Sequence, residues 1–186
     1  HVAGTHLWDP EAGEFNLPEV QRQLAGRPVA VITLSRWVEG LGLAPENPKQ
    51  IRSVDDLARP DVTLVNREPG SGSRLLLDTA LQAAGLDPAA LTGYERELPG
   101  HRPVAEAIAS GLADVGPLAF PVARAYGLSF LPLLEERYDL VVPVELLDWP
   151  PIRDLFELLA SRPVRRELEA NGYASAESGK LVARIA

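Results

Sequence analysis

The sequence predicts an α/β protein with mostly parallel sheets, and three observations carry that prediction. Short, largely apolar runs recur at Pro28–Leu34, Val62–Val65, Leu128–Leu133 and Leu140–Pro143. Runs of this kind read as strands buried on both faces rather than half-exposed alternating strands. Helical patterns separate them, at Leu75–Ala84, His101–Ser110 and Phe120–Tyr126, and alternation of strand and helix is the signature of the class. Gly, Pro and Asn punctuate the element ends.

Taken in order, Val2–Leu7 reads as the end of a short strand running into a loop, and Asp9–Asn16 is turn-rich. Asn16 can cap a helix from Leu17, with Pro18 in the first turn, where proline is tolerated. After the Pro28–Leu34 strand, Ser35–Gly40 is a connection and Leu41–Ala44 a second extended piece. Ser53 precedes Val54–Leu57 with an acid three residues on, a helix-start pattern. Tyr94–Leu98 alternates and Ala113–Gly116 is a very short strand. Glu135–Tyr138 reads as a charged turn leading into the Leu140–Pro143 strand. Two amphipathic helices follow, one carrying Ile152, Leu155, Phe156, Leu158 and Leu159, the other Val164 and Leu168. Tyr173–Ala186 is a small-residue tail with room for one more short helix.

Composition narrows the function classes. A chain of 186 residues can bury the core of one or two small domains. A net charge of −8 argues against a nucleic-acid-binding surface, but not against a small anion held by a local cluster of donors. Cysteine is absent, which excludes disulfides, thiol catalysis and Cys-ligated metals. Lys49 and Lys180 are the only lysines, so arginine carries nearly all the positive charge. Abundant proline and the absence of methionine suit a thermostable protein, and a GC-rich genome gives the same bias. No apolar run reaches membrane-spanning length. The chain starts at His1, which reads as a fragment or a processed product.

The most informative stretch is Asn66-Arg67-Glu68-Pro69-Gly70-Ser71-Gly72-Ser73-Arg74, a strand-to-helix turn flanked by arginines. It supports two readings. In one it is an oxyanion-binding turn: the backbone N–H groups of a helix start lack intrahelical partners, glycines admit close approach, and Ser and Arg add donors. In the other, Ser71 or Ser73 is simply an N-cap and the arginines are solvated. The stretch does not match Gly-x-Ser-x-Gly, a P-loop or the dinucleotide fingerprint. The pairs Asp55-Asp56 and Glu135-Glu136 are chain neighbours that read as solvated or capping. His1, His6 and His101 have no metal-ligand spacing. Catalysis, metal and cofactor are therefore not expected.

Several segments together resemble type II periplasmic-binding-protein-like domains. They are Val2–Leu7, Asn47–Lys49 with Ile51–Ala58, Asn66–Arg74, Val104–Gly116 and Glu135–Leu140. The order is similar to a cytoplasmic subfamily fused to helix-turn-helix regulators or molybdopterin-biosynthesis proteins, related to molybdate- and tungstate-binding proteins. The resemblance implies two lobes, 1–42 plus 117–186 and 43–116, with crossings near Thr33–Leu43 and Pro117–Leu128 and the ligand in a cleft closed by hinge motion. The strand-helix units that normally precede Val2 are missing. An opposite cleft wall outside this chain, and an edge open to homodimerisation, are thereby implied.

The expected ligand-binding residues are Thr5, Ser35, Asn66, Arg67, Ser71, Gly72, Ser73, Arg74 and Tyr138. The expected function is a non-catalytic oxyanion sensor, with molybdate, tungstate or a molybdopterin-related molecule as ligand. Its expected partners are that small anion and a fused helix-turn-helix or biosynthetic domain, with no nucleic acid bound by this segment and no membrane. An accessory domain of a molybdenum-cofactor pathway protein and a ligand-free structural or dimerisation module are the alternatives.

Overall fold

A computed structural model describes residues 1–9 and 11–186; Pro10, within the turn expected at 9–16, lies outside the described residues. The chain forms two compact units, His1–Trp37 with Glu136–Ala186, and Val38–Glu135. The sequence placed these divisions at 42/43 and 116/117. The second comes later because Val115–Ala125 packs against the helix at His101–Ala109, within the second unit.

In the first unit, strand β1 (Ala3–Thr5) pairs antiparallel with the far part of strand β8 (Ser129–Pro143). The near part of strand β4 (Val29–Leu43) pairs antiparallel with strand β9 (Leu181–Ile185). Helices α1 (Leu17–Gln23), α5 (Pro150–Ala160) and α6 (Arg162–Ala170) complete this unit with the small hairpin β2 (Trp8–Asp9) and β3 (Glu14–Phe15). Its cores are Val20, Val29, Val31, Val141 and Ile185 in one cluster, and Ala30, Ile32, Val142 and Ile152 in another. Alternate residues of β4 thus feed two clusters, as a pleated strand requires.

In the second unit, the far part of β4 pairs antiparallel with strand β7 (Val115–Ala119). Strand β5 (Asn66–Arg67) pairs parallel with β6 (Glu97–Leu98). Helix α2 (Gly72–Ala83) buries Leu77 and Leu81 against Leu41, Leu57 and Leu64. Helix α3 (His101–Ala109) buries Val104 and Ile108 with Leu118, and α4 (Phe120–Ala125) adds Ala123. A fully buried Leu contributes roughly 1.5–3 kcal/mol, so these two clusters anchor the base of the site described below.

Several expectations are corrected. The pairing among named strands is mostly antiparallel, not parallel, because β4 and β8 are long strands whose partners run back along them. The two extended pieces read in 28–44 are one strand of 15 residues. The charged turn at Glu135–Tyr138 is the middle of another 15-residue strand, and Glu136 there is buried rather than solvated. Charge suggested a turn, but neighbouring strands satisfy the backbone and leave the side chains to alternate. Val62, Leu64 and Val65 are buried, and Leu64 forms a parallel bridge with Val115, but the regular strand begins at Asn66. The tail forms strand β9 instead of a helix.

Asn16 stands at the N-cap position of α1, but its side chain does not cap. With φ of 68° it turns inward. Its Oδ1 accepts from Thr5 Oγ1 (3.1 Å) and Leu7 N (2.8 Å), and its Nδ2 donates to the Arg137 carbonyl and Asp139 Oδ2. A fully buried amide must be satisfied on both sides, and long-range partners outcompete the local cap here.

Candidate functional site

The Asn66–Arg74 turn lies wholly in the second unit, and each of its polar side chains has a definite partner. Asn66 is fully buried; its Oδ1 accepts from Arg67 N (2.9 Å) and its Nδ2 donates to the Tyr94 carbonyl (3.3 Å). Glu68 receives the Arg67 guanidinium in a fork, Nε to Oε2 at 2.7 Å and Nη2 to Oε1 at 2.9 Å. The Arg67 fork, with the Gly100 N–H adding a further donor, holds the Glu68 carboxyl at about 2, well below its ordinary range. The remaining arm of Arg67, Nη1, reaches Ser73 Oγ (3.4 Å) and His101 Nδ1 (3.0 Å). The Arg67 side chain is only 9% exposed.

Ser71 is the N-cap of α2: its Oγ accepts from Arg74 N (3.3 Å) and donates to the Glu68 carbonyl (2.9 Å). Gly72 opens the helix, and a Cβ built there would meet no atom within 4 Å. Ser73 is buried and donates to Glu39 Oε2 at 3.0 Å. Arg74 is a framework residue. Its guanidinium lies 4.3 Å above the Tyr94 ring and reaches Asp78, Tyr94 Oη, the Arg67 carbonyl and Glu97 Oε1. Burial pushes the Tyr94 hydroxyl up from its ordinary value, helped by its bond to Asp78, so it stays protonated as a donor.

Two residues of this cluster escaped the sequence reading. Glu39 sits on β4 with its carboxylate 3.9 Å from His101 Nε2. His101 is the first residue of α3, and its Nδ1 accepts from Ala119 N (3.3 Å). That bond requires an unprotonated Nδ1 and places the neutral ring's proton on Nε2. A lone acid inside the apolar segment Val38–Leu43 was the available signal for Glu39. Nothing local to His101 distinguishes it from a cap.

Thr5, Ser35 and Tyr138 belong to the first unit. The Thr5 hydroxyl is given to Asn16. Ser35 is buried within β4. Tyr138 covers Gly4, where an added Cβ would lie 2.0 Å from the Tyr138 hydroxyl. Its ring stacks on His6 (5.7 Å, 17°) and meets Trp37 at 5.8 Å. His6 Nδ1 lies 3.5 Å from the buried Glu136 Oε2. The first unit also holds a groove of about 670 Å³ lined by Val2, Ala3, Leu24, Val29, Val141 and Pro143 among others. None of the sequence-predicted site residues lines it. No group of three or more potential metal ligands, and no helix long and apolar enough to cross a membrane, occurs among the described residues.

The family model for the PBP superfamily domain (PBP_like) matches residues 1–160. The chain belongs to this periplasmic-binding-protein-like family. The Bacillus subtilis (strain 168) protein YvgK is 36% identical over 182 residues, which is 97% of this chain and 58% of YvgK. The chain thus spans little more than half of that relative. Among solved structures, a Clostridium perfringens protein assigned to phosphate ABC transport, with bound phosphate, superposes with a TM-score of 0.60 at 13% identity. That match covers 93% of this chain and 78% of the neighbour. A substrate-binding domain from Clostridium difficile, assigned to molybdenum ABC transport, superposes at 0.55 with 18% identity, covering 77% and 66%. At these identities the likeness establishes a PBP-like fold.

Proposed function

We propose that this PBP-like chain is a non-catalytic ligand-binding domain for a small oxyanion, held at the first turn of α2 beside Arg67. The observation that carries the reading is Arg67 itself, a buried guanidinium whose Nη1 arm lies outside the Glu68 fork and reaches Ser73 and His101 next to a helix start. The N–H groups of the first helical turn lack intrahelical acceptors, and the space beside Gly72 is open. The phosphate-bound and molybdenum-assigned fold neighbours support oxyanions as the class to test. The resemblance adds molybdate, tungstate or a molybdopterin-related molecule, a cytoplasmic setting, and a regulatory or biosynthetic domain attached to this one.

Isothermal titration with phosphate, sulfate, molybdate and tungstate tests the reading. Wild type binds at least one of them, and Arg67→Ala weakens that binding at least about tenfold, since a buried charged hydrogen bond contributes roughly 1.5–3 kcal/mol. No heat with any of the four refutes it. A second reading, a structural module without ligand, is favoured by one observation: Ser73 and Arg74 are both engaged in internal hydrogen bonds. Under that reading no oxyanion shifts the melting temperature of wild type or of the Ser73→Ala/Arg74→Ala double variant.

A further inference from the structure

We propose that Glu68 is an internal stand-in for the ligand: its carboxylate fills the side-on fork of Arg67 in the ligand-free protein, and an incoming oxyanion binds by displacing it. This rests on the oxyanion reading above and adds the regulation of that site.

The Nε edge of a guanidinium presents two parallel N–H groups that match two oxygens of one oxyanion. On Arg67 that edge meets Glu68, with Nε donating to Oε2 at 2.7 Å and Nη2 to Oε1 at 2.9 Å. Gly100 N, just ahead of α3, donates to the same Oε2 at 3.1 Å. Three N–H groups thus converge on one carboxylate, and that carboxylate belongs to the chain itself. A charged fork with a backbone N–H beside it is also the donor set that holds a free oxyanion.

Burial makes the two partners unequal. The Arg67 side chain is 9% exposed and the Glu68 side chain 41%. With Glu68 gone and nothing in its place, the Nε and Nη2 donors of Arg67 would lose their acceptors where water has little access, which is costly for a charged group. Arg67 does not follow Glu68 outward, because its Nη1 is engaged by His101 Nδ1 at 3.0 Å and Ser73 Oγ at 3.4 Å. Glu68 recovers water simply by rotating its side chain. Its backbone stays where it is, since its carbonyl accepts from Ser71 Oγ at 2.9 Å and Ser71 N at 3.3 Å. The fork therefore has two favourable arrangements, one filled by Glu68 and one by an outside anion, and binding is an exchange rather than an addition. A half-exposed ion pair opposes that exchange weakly, so Glu68 lowers the ligand's affinity by about 3- to 10-fold. A dianion repays this with twice the charge that Glu68 brings to Arg67.

Titration calorimetry on the whole chain with phosphate, sulfate, molybdate and tungstate tests the exchange. Whichever of these wild type binds, Glu68→Ala is expected to bind about 3- to 10-fold tighter. Glu68→Gln, whose amide offers the fork one oxygen instead of two, gains less. A second arm adds roughly 100 mM acetate against chloride at equal ionic strength. Acetate enters the vacated fork of Glu68→Ala and weakens oxyanion binding at least about twofold, but leaves wild type unchanged, because a tethered carboxylate outcompetes a dissolved one. Should Glu68→Ala fail to melt cooperatively, Glu68→Gln carries both comparisons. Affinity in the variant equal to or below that of wild type overturns the proposal and makes Glu68 a brace for Arg67. Tighter binding that acetate does not touch overturns it as well, leaving only the removal of a nearby charge. Both of those outcomes leave the oxyanion reading standing. No heat from wild type with any of the four ions removes that reading, and this inference with it.

Discussion

Replacing Arg74 by Met tests whether the arginine most suggestive of anion binding is instead a brace for the turn. Methionine keeps the apolar stem packed along the helix surface and removes only the guanidinium. Its ion-pair partners Asp78 and Glu97 are each 37% exposed at the side chain and recover water when released. These two pairs therefore contribute only about 0.5 kcal/mol each. The stack on Tyr94 at 4.3 Å is partly desolvated and adds about 1 kcal/mol. The Arg67 carbonyl, left without the Nη1 donor in a buried strand, costs about 1 kcal/mol. Tyr94 Oη keeps its bond to Asp78 at 2.6 Å and costs little. The sum, about 3 kcal/mol, corresponds to a fall of about 1.5 M in the urea midpoint at an m-value of about 2 kcal/mol/M. A double-mutant cycle with Tyr94→Leu should return a coupling of about 1 kcal/mol, the stacking share. A loss below about 0.5 kcal/mol, or no coupling to Tyr94, refutes the assignment of Arg74 to the framework.

Two further outcomes follow from the same structure. Gly40→Ala places a Cβ 2.2 Å from the Leu131 carbonyl oxygen, a backbone atom that cannot step aside, whereas Gly42→Ala meets only the flexible side chain of Leu118 at 2.8 Å. Thermal melts should show Gly40→Ala losing about 3 kcal/mol and Gly42→Ala clearly less; equal losses would contradict the close approach at Gly40. Glu68 has its folded-state pKa lowered to about 2 from an ordinary 4.5, chiefly by the Arg67 fork. A depressed carboxyl contributes stability above its unfolded value and loses it as pH falls through the folded one. The stability gap between wild type and Glu68→Gln should thus be full above about pH 4.5 and close toward pH 2; the 41% exposed side chain keeps it small. A gap that widens on acidification would reverse the sign.

Much of this protein was legible in the order of its residues because the signals are local. The helices at 72–83, 101–109 and 120–125 announce themselves by periodicity and by glycines beyond their ends. Ser71 has an N-cap's sequence context and is one. The family likeness likewise survives in ordered segments spread along the chain, and the match over residues 1–160 agrees with it.

Tertiary structure decided what depends on partners far apart in the chain. Sheet direction is one case: β4 and β8 each run for 15 residues through segments that looked like separate elements, and only their antiparallel neighbours reveal it. Asn16 is another, drawn from a cap role by Arg137 and Asp139, more than a hundred residues away. The site is the third. Asn66–Arg74 was visible as a donor-rich turn, but whether those donors are available depends on where each proton goes. Glu39, Tyr94 and His101 settle that for Ser73, Arg74 and Arg67, and they arrive from three other elements. A sequence counts donors; a hydrogen bond consumes one, and only the folded chain shows which are spent.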